Sequence, residues 1–97
     1  MSHIVLLTPD AEFDLARLEE FLLDRNPAAG LRAATAIVTA IETLSSYPDR
    51  GAPGIRPGVR RLFVPFGQSA YIIEYRVDPG KVVVARIFHS LEDRPLA

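Results

Sequence analysis

Two short turn signals, Gly67-Gln68-Ser69 and Asp78-Pro79-Gly80, cut the C-terminal half of this chain into three β-rich runs. The runs are Val-Arg-Arg-Leu-Phe-Val-Pro-Phe from Val59, Ala-Tyr-Ile-Ile-Glu-Tyr-Arg-Val from Ala70, and Lys-Val-Val-Val-Ala-Arg-Ile-Phe-His ending at His89. Apolar runs of this length, joined by Gly- and Pro-bearing turns, predict an antiparallel meander. In the middle run, alternation puts Tyr71, Ile73, Tyr75 and Val77 on one face and Ala70, Ile72, Glu74 and Arg76 on the other. The first face is wholly apolar and predicts a core against it. The last run is apolar on both faces until Arg86 and His89, as expected of the best-covered strand.

The residues before Val59 read as a cover for one side of that sheet. Ile4 to Leu7 is a short apolar strand. Thr8-Pro9-Asp10 starts a helix, with Thr8 as N-cap, Pro9 as first helical residue, and Asp10 and Glu12 at the positive end of the dipole. Ala11, Leu15, Leu18 and Leu22 form its apolar stripe, with Phe21 beside them. Asn26-Pro27 ends this helix and starts another, whose expected stripe is Leu31, Ala34, Ile37, Val38, Ile41 and Leu44. From Tyr47 to Gly58, three prolines and three glycines exclude a helix or a central strand. Ser90 to Ala97 is polar and reads as a short, loosely held tail. The order is β-α-α-β-β-β in one domain over residues 1–97: an α+β fold, with a two-helix hairpin on one face of a small antiparallel sheet. Pattern alone leaves the place of the first strand open.

Composition narrows the function. No apolar run approaches the roughly 20 residues of a membrane span. Met-Ser-His-Ile-Val-Leu-Leu is too short for a secretory leader and has no basic segment ahead of it, and there is no cysteine, so a cytoplasmic protein is expected. Two histidines and no cysteine argue against a metal site, and nothing calls for a cofactor. The net charge of −1 shows no global positive excess for gripping a phosphate backbone.

Several stretches, spread over residues 4–89, together resemble the RelE/ParE superfamily of toxins from type II toxin–antitoxin modules. Ala-Glu-Phe-Asp-Leu-Ala-Arg-Leu (Ala11 to Leu18) is similar to the family's first-helix signature, and Asn26-Pro27-Ala28-Ala29 to its inter-helix corner. Leu44-Ser-Ser-Tyr-Pro-Asp-Arg-Gly51 resembles its loop entry. Arg60-Arg61-Leu62, Tyr71-x-x-x-Tyr75-Arg76-Val77 and Val84-x-Arg86-Ile87-x-His89 match its strand signatures.

The resemblance implies a growth-arresting toxin neutralised by a cognate antitoxin, and the family divides in chemistry. RelE-like and YoeB-like members cleave mRNA on the ribosome, whereas ParE-like members inhibit DNA gyrase without cleaving RNA. The arginine that RelE-like enzymes carry after the middle-strand tyrosine is matched here by Ile72, which cannot neutralise phosphate charge. The basic segment that follows the YoeB-like histidine is Ser-Leu-Glu92-Asp93 here, with Arg94 beyond. A ParE-like, non-enzymatic toxin is therefore expected, with target contacts at His89, Glu92, Asp93 and Arg94. A ribosome-dependent endoribonuclease, using Arg60, Arg61, Arg86 and His89, stays open as an alternative, as does an inactive member that only binds antitoxin. The antitoxin is expected near residues 59–66, along an apolar edge or face, or on the thinly charged outer sides of the helices.

The residues also have ordinary roles. His89 at a strand end suits a capping or hydrogen-bonded position, Arg86 in an apolar run suits a carboxylate partner, and Arg61 or Arg60 can pair with Glu74. Tyr71 and Tyr75 suit the core. The discriminating feature is whether Arg60, Arg61, Arg86 and His89 converge on one patch.

Overall fold

A computed structural model describes residues 2–92. The chain runs through β1 (Ile4–Leu7), α1 (Pro9–Arg25), α2 (Pro27–Thr43), β2 (Ala52–Pro53), β3 (Val59–Phe66), β4 (Ser69–Asp78) and β5 (Lys81–His89). Both helices start as the sequence dictates. Thr8 Oγ1 accepts a hydrogen bond from the Ala11 amide (3.1 Å) and donates one to the Ala85 carbonyl (2.8 Å), so one side chain caps α1 and ties it to β5. Asn26 serves two helices. Its amide donates to Leu22 O, closing α1, and its Oδ1 accepts from the Ala29 amide, opening α2.

The sheet order is β1-β5-β4-β3-β2. The meander β3-β4-β5 is antiparallel, but β1 joins the edge parallel to β5, with Val5 opposite Val82, so the sheet is mixed. This follows from the two intervening helices, which return the chain to the same end of the sheet, as a parallel crossover requires. The segment expected to be all loop contributes the two-residue strand β2, paired with Arg60 and Arg61 at the opposite edge. Pro53 is tolerated there because its missing N–H costs no ladder bond.

The apolar face of the meander is buried as its alternation requires. Tyr71, Ile73 and Tyr75 lie in the core with Leu62, Val64, Val82, Val84 and Ile87, under Ala11, Leu18, Ile37 and Leu44 from the hairpin. Tyr75 OH accepts from the buried Gly51 amide (2.8 Å) and so anchors the loop before β2. A Cβ at Gly51 would lie 2.7 Å from that hydroxyl, so only glycine fits.

The expected stripe of α2 is corrected. The buried stripe of α2 is Gly30, Ala33, Ile37, Ala40 and Ile41, continuing to Leu44; Leu31 and Val38 face outward. The helix pair packs through its smallest residues, with Gly30 so near α1 that a Cβ would lie 3.0 Å from Leu23 N. Strict alternation also fails in β5. Glu74 pairs with Arg86 and Tyr75 with Val84, leaving Ala85 as a bulge. The extra residue keeps Ile87 in the core below it and sets Arg86 toward α1.

Candidate binding groove

Because β1 stops at Leu7, β5 runs on past its neighbour, and α1 crosses the uncovered stretch. Asp14, only 1% exposed, fills the role of the missing strand. Its Oδ2 accepts from the Ile87 amide (2.9 Å) and from Arg86 Nε (2.7 Å), while Oδ1 accepts from Arg86 Nη2 (3.1 Å). Burial works against its charge, but the Arg86 hydrogen bond, the Ile87 amide and the fields of Arg86 and Arg17 outweigh burial, and the carboxyl sits below its usual range.

Beside this contact a groove of about 790 Å³ opens between α1 and the β4–β5 end. Phe13, Leu18, Phe21 and Leu22 form one wall, and Tyr71, Arg86 and His89 the other, with Leu91 and Glu92 at the rim. Phe13 and Phe21 are largely exposed. Arg17 sits between them on α1 and binds Glu92 through two hydrogen bonds, at 2.7 and 3.2 Å. It also lies 3.5 Å from Asp14. The groove therefore holds two arginines against two carboxylates.

His89 packs edge-on to Tyr71, with ring centroids 5.3 Å apart. Its Nδ1 accepts from the Leu91 amide (3.1 Å), which assigns the neutral ring's proton to Nε2 and makes Ser69 Oγ, 2.8 Å away, its acceptor. Nδ1 closes the turn after β5 and Nε2 ties the strand end to Ser69 at the start of β4, a hydrogen-bonded position of the kind a strand-end histidine suits. Burial, and secondarily Glu92, push the Tyr71 hydroxyl above its usual pKa, so it stays neutral.

The four nuclease candidates do not converge. Arg86 and His89 line the groove, whereas Arg60 and Arg61 do not. Arg60 donates to Gly51 O (2.7 Å) and faces Asp49 at 3.6 Å. Arg61 pairs with its cross-strand neighbour Glu74 at 3.0 Å. Ile72, at the position matched to an arginine in RelE-like enzymes, alternates onto the face away from the helices and is buried. Of the expected target contacts, His89 and Glu92 reach the groove; Asp93 and Arg94 lie outside the described residues. Glu92 is an ion-paired side chain held against α1, so the tail is pinned at least this far. Phe13, Arg17 and Leu91 were not singled out from sequence. The available signal was Phe13, Arg17 and Phe21 at i, i+4 and i+8, an aromatic–basic–aromatic row beside the apolar stripe.

The described residues thus form a helical hairpin on a mixed sheet, with a groove between α1 and the end of β4–β5. Residues 5–94 match the family model described as ParE toxin of type II toxin-antitoxin system, parDE. The chain belongs to this family, within the RelE/ParE superfamily. It is 39% identical over 94 residues to Toxin RelE1 of Caulobacter vibrioides, covering 97% of this chain and all of that one. It is 43% identical over 90 residues to Toxin RelE3 of the same organism, covering 93% and 97%. Among solved structures, the chromosomal ParDE system of P. aeruginosa superposes with a TM-score of 0.76 at 24% identity, covering 91% of this chain and 96% of that one, a likeness of fold. The RelBE2 toxin–antitoxin complex of Mycobacterium tuberculosis gives 0.63 at 27% identity, covering 92% and 99%.

Proposed function

We propose that this toxin arrests growth by binding a protein target, DNA gyrase, and that a cognate antitoxin neutralises it. The observation that carries the reading is that its candidate arginines are already engaged. Arg60, Arg61 and Arg86 each donate to a carboxylate or carbonyl of their own chain, and although Arg61 and Arg86 flank the same Glu74 across β4, only Arg86 lines the groove. Phosphoryl-transfer chemistry needs cations gathered and free to meet charge that develops on the phosphate. A surface balanced in charge, with exposed Phe13 and Phe21 beside a pocket, suits a protein partner better. An antitoxin partner is supported by the family and by the two solved complexes it resembles in fold. The outer edge of β3 beyond Arg61, with Phe63 exposed beside it, offers the added strand a place.

The relatives named RelE favour a ribonuclease as the second reading, and Arg86 with His89 in one groove is its best physical support. Supercoiling by purified gyrase separates the two. The expected outcome is a fall in supercoiled product, with cleaved DNA accumulating, as the protein is added. Normal supercoiling at micromolar protein, from a preparation that still stops growth, would overturn the gyrase assignment.

A further inference from the structure

The groove is already partly engaged by the chain itself. After β5, Ser90 stays in register with β4: its amide donates to Ala70 O (2.8 Å) and its Oγ accepts from the Ala70 amide (3.2 Å). The chain then turns. The Leu91 amide is held by the His89 ring and the Glu92 amide by His89 O (3.0 Å). This delivers the Glu92 carboxylate to Arg17, across 75 positions of sequence, in a fork-to-fork pair. The carboxylate subsite is filled, but the apolar one is not. Leu91 is 81% exposed, and the aromatic wall of Phe13 and Phe21 stays open to water.

We propose that Glu92 is an internal stand-in for a carboxylate of the antitoxin. The partner segment it mimics carries one Asp or Glu for Arg17, next to apolar side chains that cover Phe13 and Phe21. The proposal rests on the antitoxin reading above: the same wrapping partner that adds a strand at β3 also reaches the groove, covers the surface left to the target, and meets Glu92 there as its competitor. Charge complementarity selects this occupant: Arg86 is held by buried Asp14, whereas the Arg17–Glu92 pair is partly exposed on both sides and exchangeable. An incoming carboxylate replaces one partner of Arg17 by another and gains little by itself. Its added gain is the apolar area that the chain's own turn leaves uncovered. Glu92 then acts as a tether that every bound partner must displace.

The test uses the full chain and its antitoxin, with affinities measured by calorimetry for wild type, Glu92→Gln and Arg17→Gln. Glu92→Gln removes the competitor and is expected to tighten binding roughly two- to fivefold, the factor a partly exposed ion pair is worth. Arg17→Gln is expected to weaken it. Tightening in the first and weakening in the second establishes the competition. Unchanged affinity for Glu92→Gln overturns it, whatever Arg17→Gln does. A second arm needs no antitoxin. Anilinonaphthalene sulfonate, an anion on aromatic rings, matches Arg17 and its apolar wall, and should fluoresce more strongly with Glu92→Gln than with wild type. If the antitoxin does not bind wild type at all, the partner reading fails. The dye then decides the tether alone: a stronger signal upholds it and an equal signal overturns it.

Discussion

Asp14 does the work of a strand with one side chain. It satisfies the Ile87 amide where β1 has ended, orients Arg86, and is buried under α1. Asp14→Ala should cost about 2 kcal/mol, the cost of leaving the buried Ile87 amide unsatisfied, and less than the loss of a fully buried pair because Arg86 can still reach water. Urea unfolding measures it. The pH dependence has a definite sign. The folded carboxyl is held below its usual range, so the unfolded chain takes up the proton first as pH falls. The stability from Asp14 is present at neutral pH and is lost on descending through the acid range, so Asp14→Ala should flatten the acid limb of stability against pH. His89→Ala removes the acceptor for the Leu91 amide and the donor to Ser69, both near the surface. Its effect on growth arrest should be modest, a loosened turn; complete loss of toxicity in a folded His89→Ala chain would point to a general acid instead.

At the scale of elements, what the sequence revealed depended on whether one signal dominated. Thr8, Asn26 and Pro27 name the helix ends because each cap has a single physical use, and the caps stand where they were read. The turn at Gly67 adopts φ +62°, which glycine accommodates without strain. The face of α2 was not legible, since Ala33, Ala34, Ala36 and Ala40 are apolar on every side and give the stripe no phase. Close approach at Gly30 settled it by selecting small residues for the contact and turning Leu31 outward. The Ala85 bulge has no sequence mark at all; it follows from the Thr8 hydroxyl and the Asp14 carboxylate meeting β5 from α1. For the same reason the groove was half legible: His89 and Arg86 stood out, while Arg17 needed the turn after β5 to give it a partner. Ala33→Leu should therefore destabilise by about 1–3 kcal/mol through overpacking. Leu31→Gln should stay within about 0.5 kcal/mol, since it changes only a wetted surface. Equal losses in thermal unfolding would put the helix contact elsewhere.

At the scale of the whole molecule, charge bears on the choice between the proposed chemistries more than any one residue does. The chain carries 11 basic and 12 acidic residues, and five of the nine arginines in the described structure are ion-paired within it: Arg17 with Glu92, Arg60 with Asp49, Arg61 with Glu74, Arg76 with Asp78 and Arg86 with Asp14. A phosphodiester entering the groove would have to displace a carboxylate from Arg17 or Arg86 before either could neutralise it, and would meet that carboxylate's repulsion afterwards. His89 would also have to give up the Leu91 amide before its Nδ1 could take a proton. These costs fall on the reacting state, where an enzyme must gain most. Induction of the protein should thus stop growth without codon-phased cuts in a translated reporter mRNA, followed by primer extension over the first minutes. Cuts that appear in that window and vanish with Arg86→Gln, in a chain that still folds, would make the groove a ribonuclease site and the gyrase reading wrong. Cuts that persist in Arg86→Gln would place the cleavage in another protein, one activated by the arrest.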